Sequence, residues 1–418
     1  MMDRKTSNSK RQITVGASGA QMEGLSHSPI QAAMDRLGDG GGGVVELSEG
    51  TFDIRDTLRL RSGVTLRGQG SSTVLRKCDA VRRAILVDLD WVTRRVTIDD
   101  SSGLEPGMGV TIGDDRWAHQ GNEIVATIAR KSGNTLEFDQ VMRGPAMASR
   151  NGYVQTGFPL LWGAGVTNVG IERLVLDGNP ARNFLHPDAW KLSGIYLDEV
   201  RQAVVRDCEV REIVGFGCFV LNCTDVALTG CRVTDCALEG VHVGGTRGFS
   251  LRYCRIEGNA AAMEHLPLPP PFRRGLGGGV VGRGGVYLCF LAIEGVYEDN
   301  EIRNNNGPGI IIGYRDRDNL FVRNVIAGNR PAGIALGAQF RGDTYRTYGN
   351  VFSDCVIEDN GDEQEGFGVH ISGDAHHTSL TRCTIRDTHP EEDRKVQRVG
   401  LHVAPEVQDV KVVECAIE

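Results

Sequence analysis

One short pattern recurs through the second half of the chain and leaves few folds open to it: an apolar residue, two of any kind, Cys or Asn, one more, then Val or Ile. It reads VRDCEV, LTGCRV, LRYCRI, YEDNEI, FVRNVI, FSDCVI, LTRCTI and VVECAI, with Cys208, Cys231, Cys254, Asn300, Asn324, Cys355, Cys383 and Cys415 in the key slot. A further copy, IERLVL, puts Leu174 there. A second element, Gly-apolar-x-apolar, opens at Gly194, Gly217, Gly240, Gly285, Gly309, Gly333, Gly368 and Gly400. From each Gly to the following Cys or Asn the distance is 14, 14, 14, 15, 15, 22, 15 and 15 residues. From each key residue to the next Gly it is 20, 9, 9, 31, 9, 9, 13 and 17, so insertions gather at one corner of an otherwise constant unit. A unit of about 23 residues with period-2 alternation predicts a coil of three short strands, stacked on its neighbours at about 4.8 Å as a parallel β-helix.

The same stacking accounts for the cysteines. Each points into the stack at a tight turn, where Asn hydrogen-bonds along a ladder and Cys fills the slot as a small buried hydrophobe. Inert, reduced thiols are expected, not metal ligands or nucleophiles. Glycine, 55 of 418 residues, is assigned to the many turns that such a coil needs.

Residues 28 to 75, SPIQAAMDRLGDGGGGVVELSEGTFDIRDTLRLRSGVTLRGQGSSTVL, resemble the opening of the pectate lyase (pectin lyase-like) superfamily: a capping helix, a Gly-rich turn, then coils with GTF and GVTLRGQG elements. The acidic stretch usual before that helix reads here as GAQMEGLSHSP, a departure confined to the cap. The resemblance implies an all-β, single-stranded right-handed parallel β-helix with an N-terminal capping helix. It does not choose among lyases, hydrolases, epimerases, fructotransferases and adhesins, because that fold hosts all of them. Between 91 and 160 the coil rhythm breaks into RRVTIDD, GVTIGDD, NEIVATIA and NTLEFDQV, with a turn at 132 to 134, which predicts a small antiparallel β-insertion. The expected organisation is therefore a flexible 1–12, cap and first coils over 13–90, the insertion over 91–160, and coils carrying a groove over 161–418. Asp99, Asp100, Asp114 and Asp115 lack EF-hand spacing and read as solvated turns.

Insertions at one corner build walls beside the strand that follows it, so the outward face of the Gly-apolar strand is the expected groove floor. Its column is Tyr196, Phe219, His242, Tyr287, Ile311, Ala335, His370 and His402. Walls at 177–193 and 259–283 place the deepest cleft around Phe219 and His242. The first wall offers His186, Asp188 and Lys191; the second offers Glu264, His265, Arg273 and Arg274. Tyr314 and Arg315 bound the cleft, and Arg341 lies in a further excess after Ala335.

Lyase chemistry on a uronate polymer needs a cation for the carboxylate, a base for the C5 proton and an acid for the leaving oxygen. Arg274 or Arg273 fits the first role, His242 and Tyr287 the others, with Glu239 orienting His242. Hydrolysis needs two carboxylates about 5–9.5 Å apart; Glu239 with Glu264 or Asp188 could serve, but no pair in successive coils stands on the outward column, so β-elimination ranks first. A glycoside hydrolase or intramolecular glycosyl transferase comes second, and a non-catalytic glycan-binding or structural β-helix third. Each candidate also has a purely structural reading: the aromatic rungs as packing, His370 and His402 as remote from the cleft, and His376 with His377 as a turn whose rings point apart. No cofactor is called for and Ca2+ is left open. A net charge of −8 disfavours nucleic acid, and no apolar run is long enough to span a membrane. The last coil, ending CAIE without a polar cap, suggests a truncated end or a homo-oligomer contact, and an N-terminus without a signal-like segment suggests the cytoplasm.

Overall fold

A computed structural model describes residues 11–115, 124–184, 190–260, 284–337, 346–373 and 375–418. The repeat closes into coils, and the stacked coils form three long sheets of thirteen, ten and eleven strands. Register is parallel from rung to rung: Val205 sits over Leu228, Leu228 over Leu251 and Leu251 over Tyr297. The chain is a right-handed parallel β-helix capped at its first coil by one helix, α1 (His27–Asp39). Ile30, Ala33, Met34 and Leu37 recur at helical spacing on one face of α1, and that face is buried against the coil. The antiparallel insertion is a six-stranded sheet in the order Arg82–Ala84, Tyr153–Thr156, Gly109–Gly113, Ile124–Ser132, Thr135–Phe138, Arg95–Thr97.

The turns are built differently from expectation. The residue before each key Cys, Asn or Leu has positive φ, from Arg173 (53°) and Asp207 (53°) through Tyr253 (55°), Arg323 (51°) and Arg382 (50°) to Glu414 (54°). Only Gly230 among them is glycine. All but one of these corners thus carry a strained non-Gly residue, at a cost of about 1–2 kcal/mol each that the stacked packing offsets. The repeated glycines serve another purpose. A Cβ on Gly240 would lie 2.7 Å from Asn259 Nδ2 and 2.8 Å from the Gly285 carbonyl oxygen, so the coil closes there only without a side chain.

All eleven cysteines are free and all but Cys415 are buried. The Cys231 amide donates to Cys254 Sγ (3.4 Å), the Cys254 amide to Asn300 Oδ1 (3.0 Å), and Asn300 Nδ2 to Asn324 Oδ1 (2.9 Å). Burial pushes the Cys236 thiol up to about 12 and likewise raises Cys218 well above its ordinary range, so both stay protonated. A second ladder runs five residues further on, through Asn259, Asn305, Asn329 and Asn360, and ends on Gln397, each amide bonded to the next. Inside the stack, Tyr297, Phe321 and Phe352 lie face to face with centroids 4.5 and 4.6 Å apart.

One polar expectation changes and one holds in part. Asp114 is no solvated turn: it is buried and paired with Arg150 Nη2 at 2.8 Å. The rings of His376 and His377 point apart as expected, but only His377 faces solvent, beside Asp409; His376 is buried and its Nδ1 accepts the Gln408 amide.

Candidate active site on the outward aromatic column

Parallel register places the outward residues of the ten-stranded sheet in one line: Trp162, Tyr196, Phe219, His242, Tyr287, Ile311, Ala335, His370, His402. The period-2 alternation of each strand sends these side chains away from the stack while Ile195, Cys218, Val241 and Val286 enter it. The column is not the open floor the sequence suggests. Tyr196 is 4% exposed, Phe219 0%, His242 7% and Tyr287 3%. A second apolar layer forms outside the coil, where Tyr196, Phe216, Phe219 and Leu238 cluster with Trp162, Trp190 and Leu221 against them.

At the centre, the His242 ring lies flat on Phe219, centroids 4.3 Å apart and planes 4° from parallel. Tyr287 meets its other side edge-on at 5.1 Å. Phe216, in the rung below, meets His242 edge-on at 5.7 Å. Glu239 is fully buried in the corner two residues before the His242 strand, Val241–Gly244. The Tyr287 hydroxyl accepts from Cys289 Sγ at 3.3 Å, and burial holds this phenol well above its usual range. Tyr287 therefore keeps its proton near neutral pH and can serve as a donor, not as a base. Tyr314 joins Tyr287, Cys289 and Ile311 in the next cluster, stacked on Phe290 at 5.0 Å, with Arg315 beside it in the left-handed region (φ 63°).

The lower end of the column holds groups the sequence reading missed. Asp198 closes the strand of Tyr196 and is half-buried; burial first, then the Glu199 charge, raises its carboxyl, while the Asn222 amide and Lys191 oppose the rise. Its Oδ1 and the indole Nε1 of Trp162, one rung below, are both out of solvent contact and without a hydrogen-bond partner. An unmet acceptor and an unmet donor within two rungs make a polar notch in an otherwise apolar wall. The signal was available: Asp198 lies two residues past Tyr196 and so faces the same way.

Among the other expected residues, Lys191 is half-buried beside Trp190, whose ring stacks on Phe219 at 5.7 Å. His186, Asp188, Glu264, His265, Arg273, Arg274 and Arg341 lie outside the described residues. His370 and His402 stack on each other at 4.9 Å four and five rungs above His242. Burial and the neighbouring His402 lower His370 to about 4. Among the described residues, Asp359, Asp387 and His389 are close enough to share a cation. Both carboxylates, however, already accept hydrogen bonds from Thr388, His389, Val396 and Gln397.

A family model described as "Right handed beta helix region" matches residues 193–385 and 293–417. No curated protein matches. A solved structure titled "Glycoside hydrolase" superposes with a TM-score of 0.55 at 10% identity over 97% of this chain and 96% of that one. The Dettilon tailspike protein gp208 gives 0.51 at 13% identity over 86% of this chain and 51% of its own. The A-module of the Azotobacter vinelandii mannuronan C-5 epimerase AlgE6 gives 0.41 at 16% identity over 93% and 94%. At such identities the likeness is one of fold.

Proposed function

The chain belongs to the right-handed β-helix family, and from that premise we propose that it is a carbohydrate-active enzyme cleaving an acidic polysaccharide by β-elimination at His242. The full-length structural neighbour titled a glycoside hydrolase makes a glycan the substrate class to test first. The observation that carries the reading is the His242 ring fixed between Phe219 and Tyr287 on an outward aromatic column. The half-buried Trp162 and Trp190, packed against the column's cluster, offer the aromatic faces on which a sugar ring can stack, and His242, the imidazole at the column's centre, supplies the proton-transfer group.

In the proposed step His242 takes the C5 proton of a uronate. The C–H electron pair becomes the C4–C5 double bond, the C4–O bond breaks, and the leaving oxygen collects a proton from Tyr287. Lys191 faces the substrate carboxylate from the first wall, where it neutralises the charge that builds up as C5 loses its proton. Glu239, buried in the corner just before the His242 strand, orients His242.

Among the described residues, the two carboxylates nearest the column do not form a hydrolytic pair. Asp198 and Glu239 are two rungs and about five register positions apart, roughly 15–20 Å between backbones and well beyond the 5–9.5 Å such a pair requires. A hydrolase or intramolecular glycosyl transferase remains the second reading because the Asp198 carboxyl is raised, as a general acid must be.

The test is a panel of uronate and neutral polysaccharides, each with Ca2+ and with chelator. New absorbance at the unsaturated-uronate band supports elimination. Reducing ends without that band overturn it in favour of hydrolysis, and binding without either product leaves a glycan-binding β-helix.

A further inference from the structure

A cleft of about 560 Å³ opens between the first coils and the antiparallel insertion, on a different sheet from the aromatic column. Thr51, Asp53, Arg55, Arg76, Lys77 and Asp79 line its coil side, Glu105 and Met108 its insertion side. Its volume falls within the roughly 300–1,000 Å³ typical of small-molecule sites. Lys77 sets it apart. As the last residue of the strand Thr73–Lys77 it follows Leu75 on the inward side, in register with the core residue Ile54. It is only 5% exposed, with its ammonium 5.2 Å from the centre of the Phe158 ring.

Among the described residues no carboxylate lies within 4 Å of that ammonium and it donates no hydrogen bond. That ammonium keeps contact with the solvent of the cleft, but so buried a cation without a carboxylate partner is costly. The acidic residues around it are engaged elsewhere: Asp53 with Arg55 (2.6 Å), Glu105 with Lys131 (2.8 Å), and Asp79 with the Asn179 amide (2.9 Å). Arg76, at the mouth, has one hydrogen bond, to Asn179 Oδ1 at 3.1 Å, and no carboxylate. With the two ion pairs set aside, Arg76 and Lys77 against Asp79 leave a single positive charge facing an empty space.

We propose that this cleft is a second ligand site that takes a small organic monocarboxylate, with Lys77 as the buried cation that meets the carboxylate and Arg76 closing over it. The single uncompensated charge matches a monoanion, and the flanking Asp53, Asp79 and Glu105 penalise a dianion. Burial lowers the Lys77 ammonium to about 8, so at mildly alkaline pH a good share of the free protein carries the neutral, acylatable amine. A bound carboxylate both covers that amine and restores its proton.

The test is pulse acetylation of the full chain at pH 8 with peptide mass spectrometry, in buffer alone and with sodium glucuronate, glucose or inorganic phosphate. Lys77 is acetylated in buffer, and glucuronate at several times its dissociation constant slows that by about 5-fold while leaving Lys131 unchanged. Glucose has no effect and phosphate protects less. Lys77→Met, an apolar replacement of similar length, folds and abolishes the corresponding heat of glucuronate binding in calorimetry. A Lys77 that never labels, that labels equally with glucuronate present, or that phosphate protects as well as glucuronate does, overturns the assignment. So does a Lys77→Met protein that binds glucuronate at that site undiminished.

Discussion

Replacing His242 separates packing from chemistry because the structure makes this ring part of both. An outward histidine would ordinarily be removable at little cost, but this one is 7% exposed and lies flat on Phe219 at 4.3 Å. His242→Ala forfeits the stack, about 0.5–1.5 kcal/mol, and opens a ring-sized hole among Phe216, Phe219 and Tyr287. Large-to-small aromatic changes in cores cost about 3–5 kcal/mol, and a smaller, partly polar ring in a peripheral cluster should cost about 2–3. His242→Phe keeps a flat ring against Phe219 and should stay within about 1.5 kcal/mol of the parent, as volume-conserving exchanges do. On the uronate that the substrate screen identifies, both variants should lose about 10²-fold or more in kcat, because neither can accept a proton. Urea unfolding followed by circular dichroism gives the stabilities, and initial rates at matched folded fraction give the activities. Near-normal turnover by His242→Phe would refute proton transfer at this ring. A His242→Ala protein as stable as the parent would refute the packing argument.

Three further outcomes follow from the coils. Tyr297 is fully buried and its hydroxyl has no hydrogen-bond partner, so Tyr297→Phe should stabilise by about 1 kcal/mol, read as a rise in the urea midpoint at unchanged slope; a loss would mean the hydroxyl is bonded. Asn305→Ala deprives the Asn259 amides and the Ile256 carbonyl of their partner and should destabilise by about 3 kcal/mol or more, whereas a cost under about 1 kcal/mol would show that the ladder carries little. His370 has its folded pKa depressed to about 4, so between that and an unfolded value near 6.5 the unfolded chain binds the extra proton. Its contribution is thus complete above about pH 6.5 and lost as pH falls toward 4, so His370→Gln should flatten the fall of stability in that window, measured as urea midpoint against pH. An unchanged slope would place the titration elsewhere.

What could be read from the chain alone was whatever a repeating backbone dictates locally. Alternation settles which way a side chain points, so the column from Tyr196 to His402 and the inward cysteines were legible from spacing. The second ladder was equally legible in principle, since Asn259, Asn305, Asn329 and Asn360 stand five residues after the first. What tertiary structure alone decided was covering and pairing. Whether an outward His242 is open or sealed depends on Phe216, Phe219 and Tyr287, which reach it from neighbouring coils. Asp198 stands two residues from Tyr196 and Trp162 pairs with it one rung below, yet their unmet polar atoms emerge only when the rungs are stacked. Lys77 looks in sequence like any strand lysine, and its isolation follows from Asp53, Glu105 and Asp79 being held by partners 2, 26 and 100 residues away. Direction is a property of the strand's own dihedral angles. Burial and charge compensation depend on everything else that the fold brings within a few ångströms.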